Sequence, residues 1–357
     1  MTAVLVIAWL QASAVADPGA PPAQHRDPNA STPAAGDRAS TAPAETPWID
    51  LAPSKVLARS DEQPETHKLA AAATLAAIYG GFTTWTYFAW YRKHKPLSEF
   101  RWGGDGNWRV WSDDGWFGPT KYAGGADKLG HAWAVMSLAR GGTELLAQWG
   151  GYRRWPASIV AASLAEALFI GVEVKDGFYY EFSWGDLAMN TAGAGLGLAL
   201  SNLPRLDELI DFRVQYWPSK AYRRQLSEGA SKHSSLNIAE DYSGETYMLA
   251  FHLGGIHALR DSKWGGWSRF VDVAIGFGTR GYKPDPPEGA EDYRQSQHLS
   301  FGISLNAQGL FDWLLDGRSE GWRKVTHGTF EVFNVPFGMV GIEAVRRPEG
   351  PVSSGGA

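Results

Sequence analysis

The sequence of 357 residues contains no cysteine. That excludes disulfides, thiolate metal ligands, a thiol nucleophile and a lipid-modified cysteine from the chemistry these residues can carry. Positive charge is also scarce. The 33 Lys and Arg face 38 Asp and Glu, a formal net charge of -5, and few of the basic residues cluster. A nucleic-acid-binding face neutralises several phosphates with a basic patch, so no nucleic-acid partner is expected. There is no Gly-x-Ser-x-Gly elbow, no P-loop and no His-Glu-x-x-His pair, three motifs that would each have named a reaction class. The hydrophobic fraction of 44% is sufficient for a substantial core, which rules out disorder throughout.

At the N-terminus, Ala3 to Leu10 form a short apolar run, and Ala14-Val15-Ala16 offers the small-x-small pattern of a signal peptidase site before Asp17. This predicts a signal peptide over 1–16 and export. Residues 17–65 are rich in Pro, Ala, Ser, Thr and Asp, with hardly a large apolar side chain before Trp48. Such a segment cannot bury enough surface to offset its ordering entropy and reads as a flexible tether. Leu69 to Tyr91 carries no charge and is long enough to cross a hydrocarbon core of roughly 30 Å. Its Ala, Gly and Thr content equally suits a closely packed core helix, so both readings stay open. Trp85, Tyr87, Trp90 and Tyr91, followed by Arg92, Lys93 and Lys95, have the order found at a membrane–water boundary.

Pro96 to Gly125 is a Gly/Trp/Asp-rich stretch that reads as loop with one or two short strands or turns. Three helical patterns follow, Asp127 to Trp149, Pro156 to Val174 and Asp186 to Leu203, and together they complete a helical domain over 66–215. After a polar connector from Tyr216 to Asp241 the apolar period becomes two. Tyr247 to Leu253, Val271 to Phe277 and Leu299 to Leu305 alternate as strands, and a less regular fourth run, Thr329 to Val345, contains Pro336. These define an antiparallel β region over 242–346 and leave 347–357 as a disordered tail. Four strands are fewer than the eight of the smallest bacterial transmembrane barrels, so the sheet is expected to pack on the helices with one face half-buried. The expected fold class is α+β: a bundle of about four helices, membrane-embedded or not, followed by an antiparallel β meander.

The ionisable residues of the helices are the informative ones. Asp127 and His131 are four apart on one helical face with Lys128 beside them; Glu166 and Glu173 are seven apart, two turns along one face; Asp186 and Asn190 repeat the spacing of four. Buried ionisable groups are costly unless paired, so these polar notches are expected to face one another, with at least four of the six side chains in one cluster. Gly193, Gly195 and Gly197 would let the last helix approach its neighbours closely.

The run Asp127-Lys128-Leu129-Gly130-His131, the later Glu166 and Glu173-Val174-Lys175-Asp176-Gly177, and Ser183-Trp184-Gly185-Asp186-Leu187-Ala188-Met189-Asn190-Thr191-Ala192-Gly193 together resemble the domain of unknown function 2279 family. These are predicted periplasmic lipoproteins that include YfiM-like proteins. The same motifs are similar, more distantly, to VanZ-like membrane proteins, with their Asp-Lys-x-x-His opening and later Asp-x-x-x-Asn-x-x-Gly helix. The resemblance covers about Ala123 to Leu203 and says little about the β region. It implies an envelope location and no established reaction. The chain departs from the lipoprotein pattern in having no cysteine.

Three functions are open to such a sequence. In the first, the polar cluster fixes helix register in a non-enzymatic structural or binding module of the cell envelope. In the second, His131 is a general acid/base oriented by Asp127 or Asp186, with Glu166 or Glu173 accepting a proton or binding a hard cation, in an envelope hydrolase acting on lipid or cell wall. The third is a lipid or small-molecule binding protein that uses the aromatic residues from Trp85 to Trp116. No cofactor is expected. If a divalent metal binds, Asp127, His131, Glu173 and Asp186 are its candidate ligands. The expected partner is a membrane or lipid, with a periplasmic or membrane-associated location towards the outer membrane. Protein recovered from an envelope fraction is expected to begin at Asp17 on N-terminal sequencing; intact Met1 refutes the cleavage.

Overall fold

A computed structural model describes residues 66–91, 99–103, 116–228, 238–285, 294–316 and 320–348. The signal peptide over 1–16, the tether over 17–65, the basic flank Arg92 to Lys95 and nearly all of the tail over 347–357 lie outside the described residues.

Helices α1 (Lys68–Thr86), α2 (Ala126–Glu144), α3 (Arg154–Tyr179) and α4 (Trp184–Asn202) form the bundle. Their ends have local causes. Gly124 and Gly125, with φ of 61° and 84°, supply the left-handed backbone that turns the chain into α2. Gly151, at φ 68°, follows the last turn after α2. Ser183 caps α4 by accepting the backbone N–H of Asp186 at 3.1 Å, and Pro204 stands just past that helix. Centrally placed α2 buries most of its side chains, with α3 and α4 against it. The close approach comes from glycine: a Cβ on Gly193 would overlap the carbonyl of Ala132, and one on Gly197 would lie 2.8 Å from the Cβ of Ala139.

Among the described residues, α3 is the one helix long and apolar enough to cross a membrane. Its inner face is Ala157, Ala161, Ala165, Phe169 and Val172, whereas Ile159, Val160, Leu164 and Ile170 look outward. The same composition occurs in the core helix of a soluble protein. The Leu69 to Tyr91 segment, for which sequence left spanning open, forms α1 and one further π-type turn.

Six strands, β1 (Ile210–Tyr216), β2 (Glu245–His252), β3 (Val271–Arg280), β4 (Ser296–Leu305), β5 (Phe333–Asn334) and β6 (Met339–Arg346), form one sheet in the order β5-β1-β2-β3-β4-β6. All neighbours are antiparallel except β1 and β5. Helices α5 (Ala307–Leu314) and α6 (Glu320–Val332) lie between β4 and β5 in the chain. Strands β5 and β6 sit on opposite edges, yet only residues 335–338 join them. A link that short spans roughly 3.6 Å per residue at most. The sheet must therefore curl until its edges approach, and Asn334 Nδ2 donates to Ser304 Oγ on β4 at 3.2 Å.

The curl changes three sequence expectations. The run Thr329 to Val345 is not one strand, because its first residues end α6 and Pro336 lies in the link between β5 and β6. The sheet also begins earlier, at Ile210, ahead of the connector. The alternation of Leu299, Phe301, Ile303 and Leu305 holds, but these residues do not face a core: Phe301 is 53% and Ile303 60% exposed. The physical reason is pairing. The inside of the curl is taken by Asp211, Arg213, His252 and Asp272, which pair with one another, beside Ala274, Gly276 and Gly278 of β3, so the large apolar residues of β4 point outward. Burial of the apolar face against helices occurs where Tyr247, Val214 and Phe277 pack against α2.

Replacing Gly193 with alanine should destabilise the protein by about 1–3 kcal/mol through overpacking against α2. Gly195→Ala, where a Cβ meets nothing within 4 Å, should be neutral or stabilising by up to about 1 kcal/mol. Urea unfolding of both variants checks the contrast.

Candidate functional site

The polar notches of three helices meet. From α2, Lys128 Nζ lies 3.3 Å from Asp186 Oδ1 on α4 and 3.7 Å from Asp127 Oδ2. One turn further along α2, His131 Nδ1 is 3.0 Å from Asn190 Oδ1 on α4 and 3.4 Å from Glu173 Oε1 on α3. Phe169 meets the imidazole edge-on at 5.5 Å. Asp127, Lys128, Glu173, Asp186 and Asn190 are buried, whereas the His131 side chain keeps 18% of its surface. His131 is therefore the point at which the cluster meets its surroundings.

Five of the six candidates from the sequence are joined in this way, Asp127 through Lys128. Glu166 is the exception: it accepts a hydrogen bond from Thr191 Oγ1 at 2.6 Å. It shares a helical face with Glu173 but stands two turns away, roughly 10 Å along the axis. Lys128 was named only as a neighbour in the sequence, yet it is the cation between two carboxylates. Asp176, one turn beyond Glu173, accepts a 2.8 Å bond from the Tyr91 hydroxyl.

The electrostatics divide the carboxylates. Burial, together with the charges of Asp186 and Asp176, pushes Glu173 well above the ordinary carboxylate range. Asp186 is held below its ordinary value because His131 and Lys128, and hydrogen bonds from Ser183 and Lys128, outweigh its burial. Burial raises Asp176 to about 7. One carboxylate thus stays charged while its neighbour tends to keep a proton. Glu173 Oε1 and Asn190 Nδ2 are both buried without a hydrogen-bond partner. His131, Glu173 and Asp186 each offer one ligand atom, all within 4.8 Å of one another.

A second polar centre lies inside the curled sheet. Arg213 donates to Asp211 Oδ2 at 2.6 Å, Asp272 Oδ2 at 2.9 Å and Gln308 Oε1 at 3.0 Å. His252 places Nδ1 2.7 Å from Asp272 Oδ1 and Nε2 3.0 Å from Asp211 Oδ2. Arg140 of α2 joins it to Asp207 at 2.6 Å and pairs with Glu331. Sequence reasoning missed this centre, although Asp211, Arg213, His252 and Asp272 occupy the inward-facing strand positions. It is sealed, and with carboxylates at both ring nitrogens His252 suits a structural imidazolium.

A packed helical core with ionisable side chains at its heart, continued by a curled sheet, defines the class as an α+β protein with a buried polar centre. Residues 113–202 match the model of a family described as predicted periplasmic lipoprotein, domain of unknown function 2279. The match takes in the whole cluster on α2, α3 and α4, and supports an exported, periplasmic location in the cell envelope. No curated protein and no solved structure matches the chain.

The sheet centre predicts a pH dependence. Despite burial, the charges and hydrogen bonds of Asp272 and Asp211 raise His252 from 6.5 to about 9. The folded state therefore binds the proton more tightly, and that stabilisation is complete below 6.5 and lost as pH rises through about 9. The gap corresponds to on the order of 3 kcal/mol. Raised Asp176 and Glu245 slope in the same direction at lower pH, their shares being lost by about 7 and about 8. The melting temperature should fall across this range, and His252→Gln should flatten the fall; an unchanged slope refutes the charged-imidazole assignment.

Proposed function

We propose that the protein is an envelope-associated binding module whose helical core holds a divalent cation between His131, Glu173 and Asp186. The observation that carries this reading is the convergence of His131, Glu173 and Asp186, whose ligand atoms lie within 4.8 Å of one another, next to two buried atoms that make no hydrogen bond, Glu173 Oε1 and Asn190 Nδ2. Each unsatisfied buried group costs about 1–3 kcal/mol, a cost that a ligand at this spot would relieve. A bound cation would take the carboxylate oxygen of Glu173, with His131 and Asp186 as its other ligands. Imidazole with two carboxylates is a donor set suited to zinc or manganese. Tetrahedral zinc separates its donor atoms by roughly 3.4 Å, so the three groups close on an ion by side-chain movement of on the order of an ångström. Asp127 contributes through Lys128, and Lys128 limits the negative charge that the site must hold when empty.

A purely structural role has one observation in its favour: the Lys128–Asp186 pair and the Ser183 cap already hold Asp186 in place. Metal titration separates the two readings. Chelator-treated protein should gain a saturable rise in melting temperature with Zn²⁺ or Mn²⁺, worth about 2.7 kcal/mol at a hundred times the dissociation constant. His131→Ala and Glu173→Gln should each abolish the rise while leaving the helical circular dichroism intact. A wild-type protein that shows no cation-dependent shift refutes the binding reading and leaves the structural one.

A further inference from the structure

The outer face of the sheet raises a separate question, independent of the cation site. Across β3, β4 and β6 the register aligns Ile275, Phe301 and Ile342 in one row and Val273, Ile303 and Val340 in the next. Val340 and Ile342 are 79% and 75% exposed. The reverse side of β3 and β4 carries glycine, alanine, serine, Asp272, Arg280 and His298, and that of β6, a strand exposed on both faces, carries Met339, Gly341, Glu343 and Val345. A sheet facing water on one side has the opposite arrangement, with polar residues outward. Outward apolar and inward polar residues are what a strand shows when its outside meets hydrocarbon.

We propose that this face docks on the hydrocarbon region of a lipid bilayer. The ends of the apolar band identify lipid as the occupant. At one end, where Val271 pairs with Leu305 and Ser304 with Met339, the chain exposes Trp264 and Trp267 just before β3, Trp313 in α5 and Phe337 just before β6. At the other end stands Arg346, on the outward position paired with Gln297, whereas Arg280 turns to the inner face and donates to Glu245 and Thr246. An apolar band bounded by indoles on one side and an arginine on the other has the profile of a membrane–water boundary. From Leu299 to Leu305 the band is roughly 20 Å long at 3.4 Å per residue, close to the roughly 25 Å apolar belt of outer-membrane strands. The net charge of -5 gives no electrostatic attraction to anionic lipid, so apolar burial has to drive the association.

The test uses the full chain with vesicles of phosphatidylethanolamine and phosphatidylglycerol. The protein should float with the vesicles, remain bound in high salt, and lose tryptophan fluorescence to lipids brominated in their acyl chains. The double variant Phe301→Asp/Ile342→Asp should partition at least tenfold less, with circular dichroism and melting temperature unchanged because both side chains are already exposed. Phe301→Ser/Ile342→Ser serves if the aspartates disturb folding. Absence of flotation, release by salt, or equal binding by a folded variant overturns the proposal. So does a wild-type dimer in solution that the same substitutions split into monomers, since a second copy would then be what covers the face.

Discussion

Everything in this fold depends on the pairing of charges inside it. An unpaired buried ion costs several kcal/mol, and breaking a buried pair by removing one partner costs about 3–5 kcal/mol. Helix α2 is buried along most of its length and carries Asp127, Lys128 and His131 near one end and Arg140 near the other. It can occupy the centre only because α3 and α4 bring Glu173, Asp186 and Asn190 to the first group, and Asp207, Asp211 and Glu331 reach the second. Helices, sheet and α6 are thereby tied to one element. The small residues of α4 serve the same end: without Gly193 and Gly197 the helices would stand too far apart for these pairs to form.

The sheet follows from the same constraint. Its concave side holds Arg213, His252, Asp211 and Asp272 in mutual contact, so the charged residues leave the surface and the large apolar ones are displaced onto it. The two polar centres differ in exposure. In the sheet centre both nitrogens of His252 meet carboxylates, the arginine fork is shared among Asp211, Asp272 and Gln308, and these side chains are sealed. In the helical centre the His131 side chain keeps 18% of its surface beside buried Glu173. The family match falls on the second, over 113–202.

Much of this was legible in the sequence because it is local. The period of the apolar residues placed the helices and the clearest strands, and the i, i+4 spacing of Asp127 with His131 and of Asp186 with Asn190 put each pair on one face. The cost of unpaired charge then required those faces to meet. Glu166 shows the limit of the argument: a spacing of seven fixes the face but says nothing about which turn reaches the partner helix.

What only the tertiary structure decided was direction and closure. Alternation in β4 separates Leu299, Phe301 and Ile303 from Ser300, Gly302 and Ser304, but a period of two is the same whichever face turns inward. The link over 335–338 draws β5 towards β6 and closes the curl, and the inward face is the one whose Arg213 and His252 find Asp211 and Asp272 there. The sheet centre was hidden for a related reason. Asp211, Arg213, His252, Asp272 and Gln308 are far apart in the chain, and no local spacing records that strand pairing and curvature bring them together. The sequence by itself determined which side chains had to find partners, because burial of charge is a property of residue type and pattern; the partners themselves were chosen by chain closure, which is a property of the whole.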